Sequence, residues 1–292
     1  MSEDAPGSGW FAGLDRDETD AAADAIRSGA AAAPADWPAQ AVESGFAADE
    51  DDYYAALHEA TVTATRAAAT ERERAGDQQL VHAVRAMDDC LRTANELAER
   101  TSEWANALFD DDRAGIQYAR DLAGRNPAGP DETQVVSLAE RVVALANEAD
   151  DLESYVETRA PEVAPNLAAL AGPVLAARLI SLAGGLESLA KKPSGTVQVL
   201  GAEDALFAHL RGHASSPKHG VIFTHEYVRG TRPEDRGSAA RALAGKLSIA
   251  ARVDHYSGER KPELDAELDE RIATIQARAE DGAAGADGGD GE

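Results

Sequence analysis

The chain has 292 residues, with 53 Asp and Glu against 28 Lys and Arg, a formal net charge of -25, and 5% aromatic residues. That length allows two or three modest domains, and so few aromatics require a core of mostly Ala, Leu and Val. A single cysteine, Cys90, excludes an internal disulfide and any multi-cysteine zinc or iron–sulfur site.

The acidic start, MSEDAPGSG, lacks the basic-then-apolar layout of a signal peptide, so a cytoplasmic location is expected. Residues 1–75 are rich in Ala and Asp, with breakers at Gly29, Pro34 and Pro38. Within them GWFAGLD and GFAADEDDYYAAL suggest small packed elements. One helix is predicted over 77–123, where Leu80, Val84, Met87, Leu91 and Ala94 recur at steps of three and four. GRNPAGPDE, 124–132, is a turn. After it Val135, Leu138, Val142, Leu145, Ala149, Leu152 and Val156 form an unbroken heptad seam. Two long helices joined by a short loop fold back as an antiparallel coiled-coil hairpin, with arms of roughly 40–70 Å at about 1.5 Å per residue. Apolar residues left over from the hairpin leave two readings open: an intramolecular strut, or an arm for homodimerisation.

Pro161 and Pro165, in RAPEVAPN, are expected to end the second arm. The apolar stretch 167–186 reaches membrane-spanning length, but Arg178, Pro173 and three glycines mark it as buried helix, with no membrane partner. The predicted fold class is therefore mainly α. It comprises a small divergent N-terminal domain (1–75), the coiled-coil hairpin (76–160), a compact all-α domain (161–278) and a disordered acidic tail (279–292).

Charge is unevenly spread. Residues 171–261 hold 13 Lys and Arg against 8 Asp and Glu, while the rest of the chain holds 15 against 45. The general excess of carboxylate resembles proteins of halophilic archaea, where it serves solubility. All five lysines nevertheless lie in the one basic segment. In SPKHGVIFTHEYVRG, 216–230, Val221, Ile222 and Phe223 are anchors that present Thr224 and His225, with Lys218 and Arg229 nearby; a rigid apolar base beneath a planar side chain suits RNA bases.

Pro233, Glu234 and Asp235 then open a helix over 232–254. At 100° per residue, Gly237, Ser238, Arg241, Gly245, Ser248 and Arg252 share one face, opposite Ala239, Leu243, Leu247 and Ala250. Glycine inside a helix costs about 1 kcal/mol relative to alanine. Two on the arginine face therefore admit either a phosphate backbone or a neighbouring helix, with the arginines then pairing with surplus carboxylates. His209 and His213, in HLRGH, have helical i, i+4 spacing but lack the Glu of a zinc protease motif, so no metal site is assigned. Neither a phosphate loop nor a nucleophile elbow is present, and Cys90 beside Asp88 and Asp89 is poorly placed to ionise. The chain reads as non-catalytic.

Three stretches carry a family resemblance: APNLAALAGPVLAARLISLAGGLESLAKKPSGTVQVLGAEDALFAHL (164–210), PKHGVIFTHEYVRG, and RGSAARALAGKLSIAARVDHYSG (236–258). DQQLVHAVRAMDDC and NELAERTSEW on the first arm add to it. Together they resemble the Nop domain proteins, in particular the archaeal fibrillarin-associated scaffold of box C/D guide ribonucleoproteins. The resemblance implies an N-terminal domain that binds fibrillarin, α/β if it keeps the family's mixed sheet, a self-associating coiled coil, and a Nop domain gripping a kink-turn RNA already bound by a ribosomal-type kink-turn protein. Guide RNA would then direct 2′-O-methylation of rRNA or tRNA; S-adenosylmethionine would be held by fibrillarin, leaving no cofactor for this chain. The resemblance also assigns RNA or RNP contacts to Lys218, Thr224, His225, Arg229, Arg236, Arg241, Lys246 and Arg252. The family's GAEK motif stands here as Gly201, Ala202, Glu203 and Asp204, and its ALFR as 205–208 ending in Ala208, so two cations are missing. The alternatives are a protein-binding coiled-coil adaptor without RNA and, more remotely, a metal-dependent hydrolase using the histidines.

Overall fold

The computed structural model describes residues 9–30 and 33–284, with side chains as far as residue 277. The chain divides between Ala75 and Gly76 into two compact units.

Among its described residues the first unit has three helices, α1 (Thr19–Ser28), α2 (Trp37–Glu43) and α3 (Glu50–Arg74). Side-chain caps start two of them: Asp36 accepts from the Ala39 amide and Asp49 from the Asp52 amide. The scarce aromatics gather here, where Phe11, Phe46 and Tyr53 are buried and Trp10 meets Phe46 edge-on at 5.3 Å. No strand occurs among the described residues, so the α/β option for residues 1–75 is replaced by a small helical unit.

The second unit opens with α4 (Gly76–Phe109), α5 (Gly115–Ala123) and α6 (Pro130–Val163). The helix predicted over 77–123 is thus two. Three successive aspartates, Asp110 to Asp112, occupy the break, and Asp110 has a left-handed φ of 54°. Asn106 bonds both the amide and the carbonyl of Arg113, and Asp111 accepts from the Tyr118 hydroxyl, so the bend is held by side chains. The pairing of α4 and α5 with α6 buries one row of the expected seam and replaces the other. Val135, Val142, Ala149 and Val156 are buried as expected, but Leu138, Leu145 and Leu152 are only half-buried; Ala139, Ala146 and Ala160 form the second buried row. Leu91, expected inside, is 46% exposed. From Ala94 onward the buried apolar residues of α4 are Ala94, Ala98 and Ala105, all inaccessible, whereas nearer its start they are Leu80, Val81, Val84 and Met87; a run of small side chains favours alanine over leucine on the facing helix.

Pro161 stays within α6; the helix stops at Val163 because Pro165 pushes Ala164 out of the helical region (φ −143°, ψ 72°). Next come α7 (Pro165–Ala171) and α8 (Pro173–Ala183), bent by 116° at Gly172, where one buried helix was expected. No single described helix is long and apolar enough to cross a membrane. The short helices α9 (Leu186–Ala190), α10 (Ser194–Val199), α11 (Glu203–Leu210), the 3-10 turn η1 (Val221–Thr224) and α12 (Glu226–Arg229) lead to α13 (Arg236–Tyr256) and α14 (Glu263–Ala284). α13 is the axle, packing on α7, α9, α10, α12 and α14 through Ala239, Ala240, Leu243, Ala244, Leu247, Ala250 and Ala251, all inaccessible to solvent. Because α14 reaches Ala284, the first six residues of the expected disordered tail are helical; 285–292 lie outside the described residues.

Candidate nucleic-acid interface

The face of α13 opposite its packed side is open. Ser238, Arg241, Ile249, Arg252 and Tyr256 are exposed and Gly245 is half-exposed, and at 100° per residue they form one stripe about 27 Å long. A β-carbon at Gly245 would meet nothing within 4 Å, and at Gly237 only the end of Lys218, at 3.9 Å. The glycines therefore admit no neighbouring helix of this chain. Ser248, expected on this face, is 2% exposed and belongs to the packed flank, while Ile249 and Tyr256, two large side chains, extend the stripe.

Two arginines hold local backbone through carbonyls. Arg236 donates to the carbonyls of Thr231 (3.0 Å) and Arg229 (3.3 Å), and its guanidinium lies 5.4 Å from the Phe223 ring centre. Arg252 donates to the carbonyls of Ala190 (3.1 Å) and Lys192 (3.4 Å), closing the C-terminus of α9. Neither is neutralised, since a carbonyl carries no charge and a guanidinium has five donors. The side chains of Lys218, Arg229 and Arg241 have no carboxylate partner among the described residues. Lys246 is the exception: it pairs with Glu267 of α14 and lies off the stripe, so its positive charge is spent within the fold. By contrast, Arg16, Arg27, Arg92, Arg100, Arg113 and Arg125 each pair with an acid.

η1 sits beside the N-terminal end of α13. His219 stacks on Phe223 at 4.5 Å between ring centres, an arrangement the sequence motif contained but its spacing did not disclose. Thr224 is exposed, its hydroxyl donating to the Val221 carbonyl (3.0 Å). Nδ1 of His225 accepts from the Tyr227 amide (3.2 Å), which makes His225 the cap of α12. An apolar cleft of about 580 Å³ lies alongside, lined by Gly172, Pro173, Val174, Arg178, Thr224 and His225. Arg178 at its edge pairs with Asp88 (2.6 Å).

Before α13 the chain makes an excursion from 201 to 219. Gly201 (φ 80°) opens it, and its amide donates to the Glu203 carboxylate (2.9 Å), so Gly201, Ala202 and Glu203 form a self-bonded turn ahead of α11. α11 buries no residue and ends at Leu210, and Gly212 is left-handed (φ 78°). His209 and His213 therefore do not share a helical face, and among the described residues no three potential ligands are grouped to hold a metal ion.

Burial pushes the His225 imidazole below its ordinary pKa, against Glu226 and a hydrogen bond to the Leu170 backbone; burial and then Arg236 do the same to His219. A depressed folded-state value means that the unfolded chain takes up protons first, at about pH 6.5. The stability these rings contribute is complete above that value and lost as pH falls through the lower folded-state values. Urea midpoints are expected to fall between about pH 7 and about pH 5.5, and His225→Gln is expected to flatten the fall.

The molecule is a mainly helical protein whose second unit carries an open, unneutralised cationic face. Residues 75–276 match the Nop family, described as snoRNA binding domain, fibrillarin, and the chain belongs to that family. It is 33% identical over 273 residues to an uncharacterized NOP5 family protein of Methanocaldococcus jannaschii, covering 81% of this chain and 66% of that one. It is 40% identical over 156 residues to nucleolar protein 56 of Schizosaccharomyces pombe, covering 52% of this chain and 31% of the relative. The chain thus spans just under two thirds of the first relative and about a third of the second. Its fold is similar to a chain of a fibrillarin/Nop5p complex crystal structure, at a TM-score of 0.51 and 23% identity over 92% of this chain and 98% of that one.

Proposed function

We propose that this chain is a non-catalytic scaffold of a box C/D guide ribonucleoprotein, bridging fibrillarin to a guide RNA whose kink-turn already carries its own small protein. The observation that supports it best is the set of unpaired cations on and around α13. Lys218, Arg229, Arg236, Arg241 and Arg252, the last two on the open stripe, stand without a carboxylate partner among the described residues in a chain with 53 acids. Guanidinium and ammonium groups without acidic partners are the phosphate-positioning chemistry of RNA-binding proteins. His225 has committed Nδ1 to the Tyr227 amide, so it offers a base the face of its ring, while the exposed Thr224 hydroxyl can accept a hydrogen bond. In this reading the missing cations at Asp204 and Ala208 move the load onto α13. Leu91, Trp104, Leu108 and Tyr155, each 38–46% exposed on α4 and α6, favour self-association of the hairpin as the reading's second contact.

Gly245→Ala tests this reading because it separates folding from binding. Alanine fills space that no atom of this chain uses, so the free protein is expected to gain about 0.5–1 kcal/mol in stability. A phosphate backbone seated on the stripe would meet the new methyl, so binding to a box C/D RNA carrying its kink-turn protein is expected to weaken. Arg241→Ala, on an exposed side chain, is expected to reduce that affinity about tenfold with melting unchanged. Full affinity in both variants would remove the scaffold reading.

A further inference from the structure

We propose that the C-terminal half of α3 forms a second phosphate-binding track for RNA, separate from α13; this rests on the ribonucleoprotein reading. α3 precedes the residues that match the Nop family, and beyond Ala64 none of its residues is buried. Thr63, Arg66, Thr70 and Arg74 follow at steps of three, four and four, so they share one face and rise over about 16 Å. With Arg27 and Glu71 they line an open groove of about 810 Å³.

Its charge is positive against the run of the unit, where residues 1–75 hold 16 acids and 5 arginines. Glu71, the only acid lining the groove, is taken by Arg27 at 2.5 Å. Arg66 and Arg74 have no carboxylate partner among the described residues, whereas Arg16 of the same unit takes both Asp52 and Glu59. Complementing the helix dipole accounts for a cation in the last turn, as at Arg74, but not for Arg66 two turns earlier, nor for the threonines. Guanidinium and hydroxyl donors together suit phosphate oxygens. A folded protein partner would be anchored on aromatic or large aliphatic residues, and the apolar lining here is only Ala67 and Ala75.

The test measures how the full chain binds a synthetic box C/D RNA carrying its kink-turn protein, across a salt series. Arg66→Ala/Arg74→Ala is expected to lower the slope of log affinity against log salt by about 1.4 for single-stranded contacts and about 1.8 for duplex contacts. Affinity at the lowest salt is expected to fall about tenfold. Arg66→Lys/Arg74→Lys keeps the charges and is expected to keep most of the slope, which separates lost phosphate contact from lost folding. An unchanged slope in the alanine variant, with Arg241→Ala still weakening binding, overturns the α3 track and leaves the scaffold reading intact. No change in either variant overturns both. An unchanged slope with loss of fibrillarin capture makes the groove a protein seat, which also overturns the proposal.

Discussion

Asp254→Ala is expected to lower the melting temperature by roughly 10 °C, the largest loss of stability from any single polar substitution in the second unit. Asp254 is 7% exposed near the end of α13, and its carboxylate is fully used. One oxygen accepts from the Asn166 amide (3.0 Å) and the Asn166 side chain (2.6 Å), the other from the Leu167 amide (2.8 Å). Asn166 continues the network, its Nδ2 donating to the Glu259 carbonyl (2.7 Å) and its Oδ1 accepting from the Lys261 amide (2.6 Å). The start of α7, the end of α13 and the approach to α14 are therefore tied at one buried point, at the end of RAPEVAPN. Alanine would strand two buried backbone donors and half of the Asn166 amide. Unsatisfied groups of this kind cost about 1–3 kcal/mol each, so a total of about 3–5 kcal/mol is reasonable after relaxation. In a domain of about 200 residues, 1 kcal/mol corresponds to about 2–4 °C. Asp254→Asn retains one acceptor and is expected to lose about half as much. Thermal unfolding followed by helical circular dichroism checks both, and a shift of under about 2 °C for the alanine variant would contradict the network's role.

Nothing in the sequence singles out Asp254 as buried, because its partners, Asn166 and Leu167, lie 88 and 87 residues upstream. That marks the general limit of what the chain discloses. The α13 helix was legible because one element carries both its apolar and its small polar face, and periodicity reads a single element well. The hairpin's seam was misread by one row because periodicity cannot show that the opposing helix is lined with alanines, which decides whether leucine or alanine goes inside. The break at Asp110 depended on Asn106, Asp111 and Tyr118 meeting in space. Arg252 and Lys246 are both cations of the same helix, yet one ends on carbonyls of α9 and keeps its charge, while the other meets Glu267 of α14 and loses it. Assigning a cation to RNA requires knowing which acids come near it, and that is a tertiary fact.

Gly220→Ala is expected to weaken ribonucleoprotein binding about tenfold to a hundredfold while costing the fold as a whole less than Asp254→Ala. A β-carbon at Gly220 would lie 1.9 Å from the Leu200 carbonyl oxygen and 2.7 Å from the carbonyl carbons of Leu200 and Val199. These are backbone atoms, so no rotamer change relieves the contact. The close approach exists because the two ends of the 201–219 excursion are zipped together. The Gly220 amide donates to the Gln198 carbonyl (2.8 Å), the Val221 amide to the Leu200 carbonyl (2.7 Å), and the Gln198 side chain to the Lys218 carbonyl (2.7 Å). Alanine must part the two segments, costing about 1–3 kcal/mol by overpacking and freeing the start of η1. η1 carries Phe223 and Thr224 and leads into His225, and Phe223 in turn supports His219 and Arg236. The damage therefore falls on the site, and at about 1.4 kcal/mol per tenfold, affinity is expected to drop about tenfold to a hundredfold. Hydrogen exchange supplies the local readout: the Gly220 and Val221 amides should lose protection while those of α13 at Leu243 and Leu247 keep theirs. Gly237→Ala, whose methyl meets only Lys218 Cδ at 3.9 Å, should leave all four protected. If Gly220→Ala kept both its amide protection and its affinity, the zipped excursion would not be what holds η1 in place.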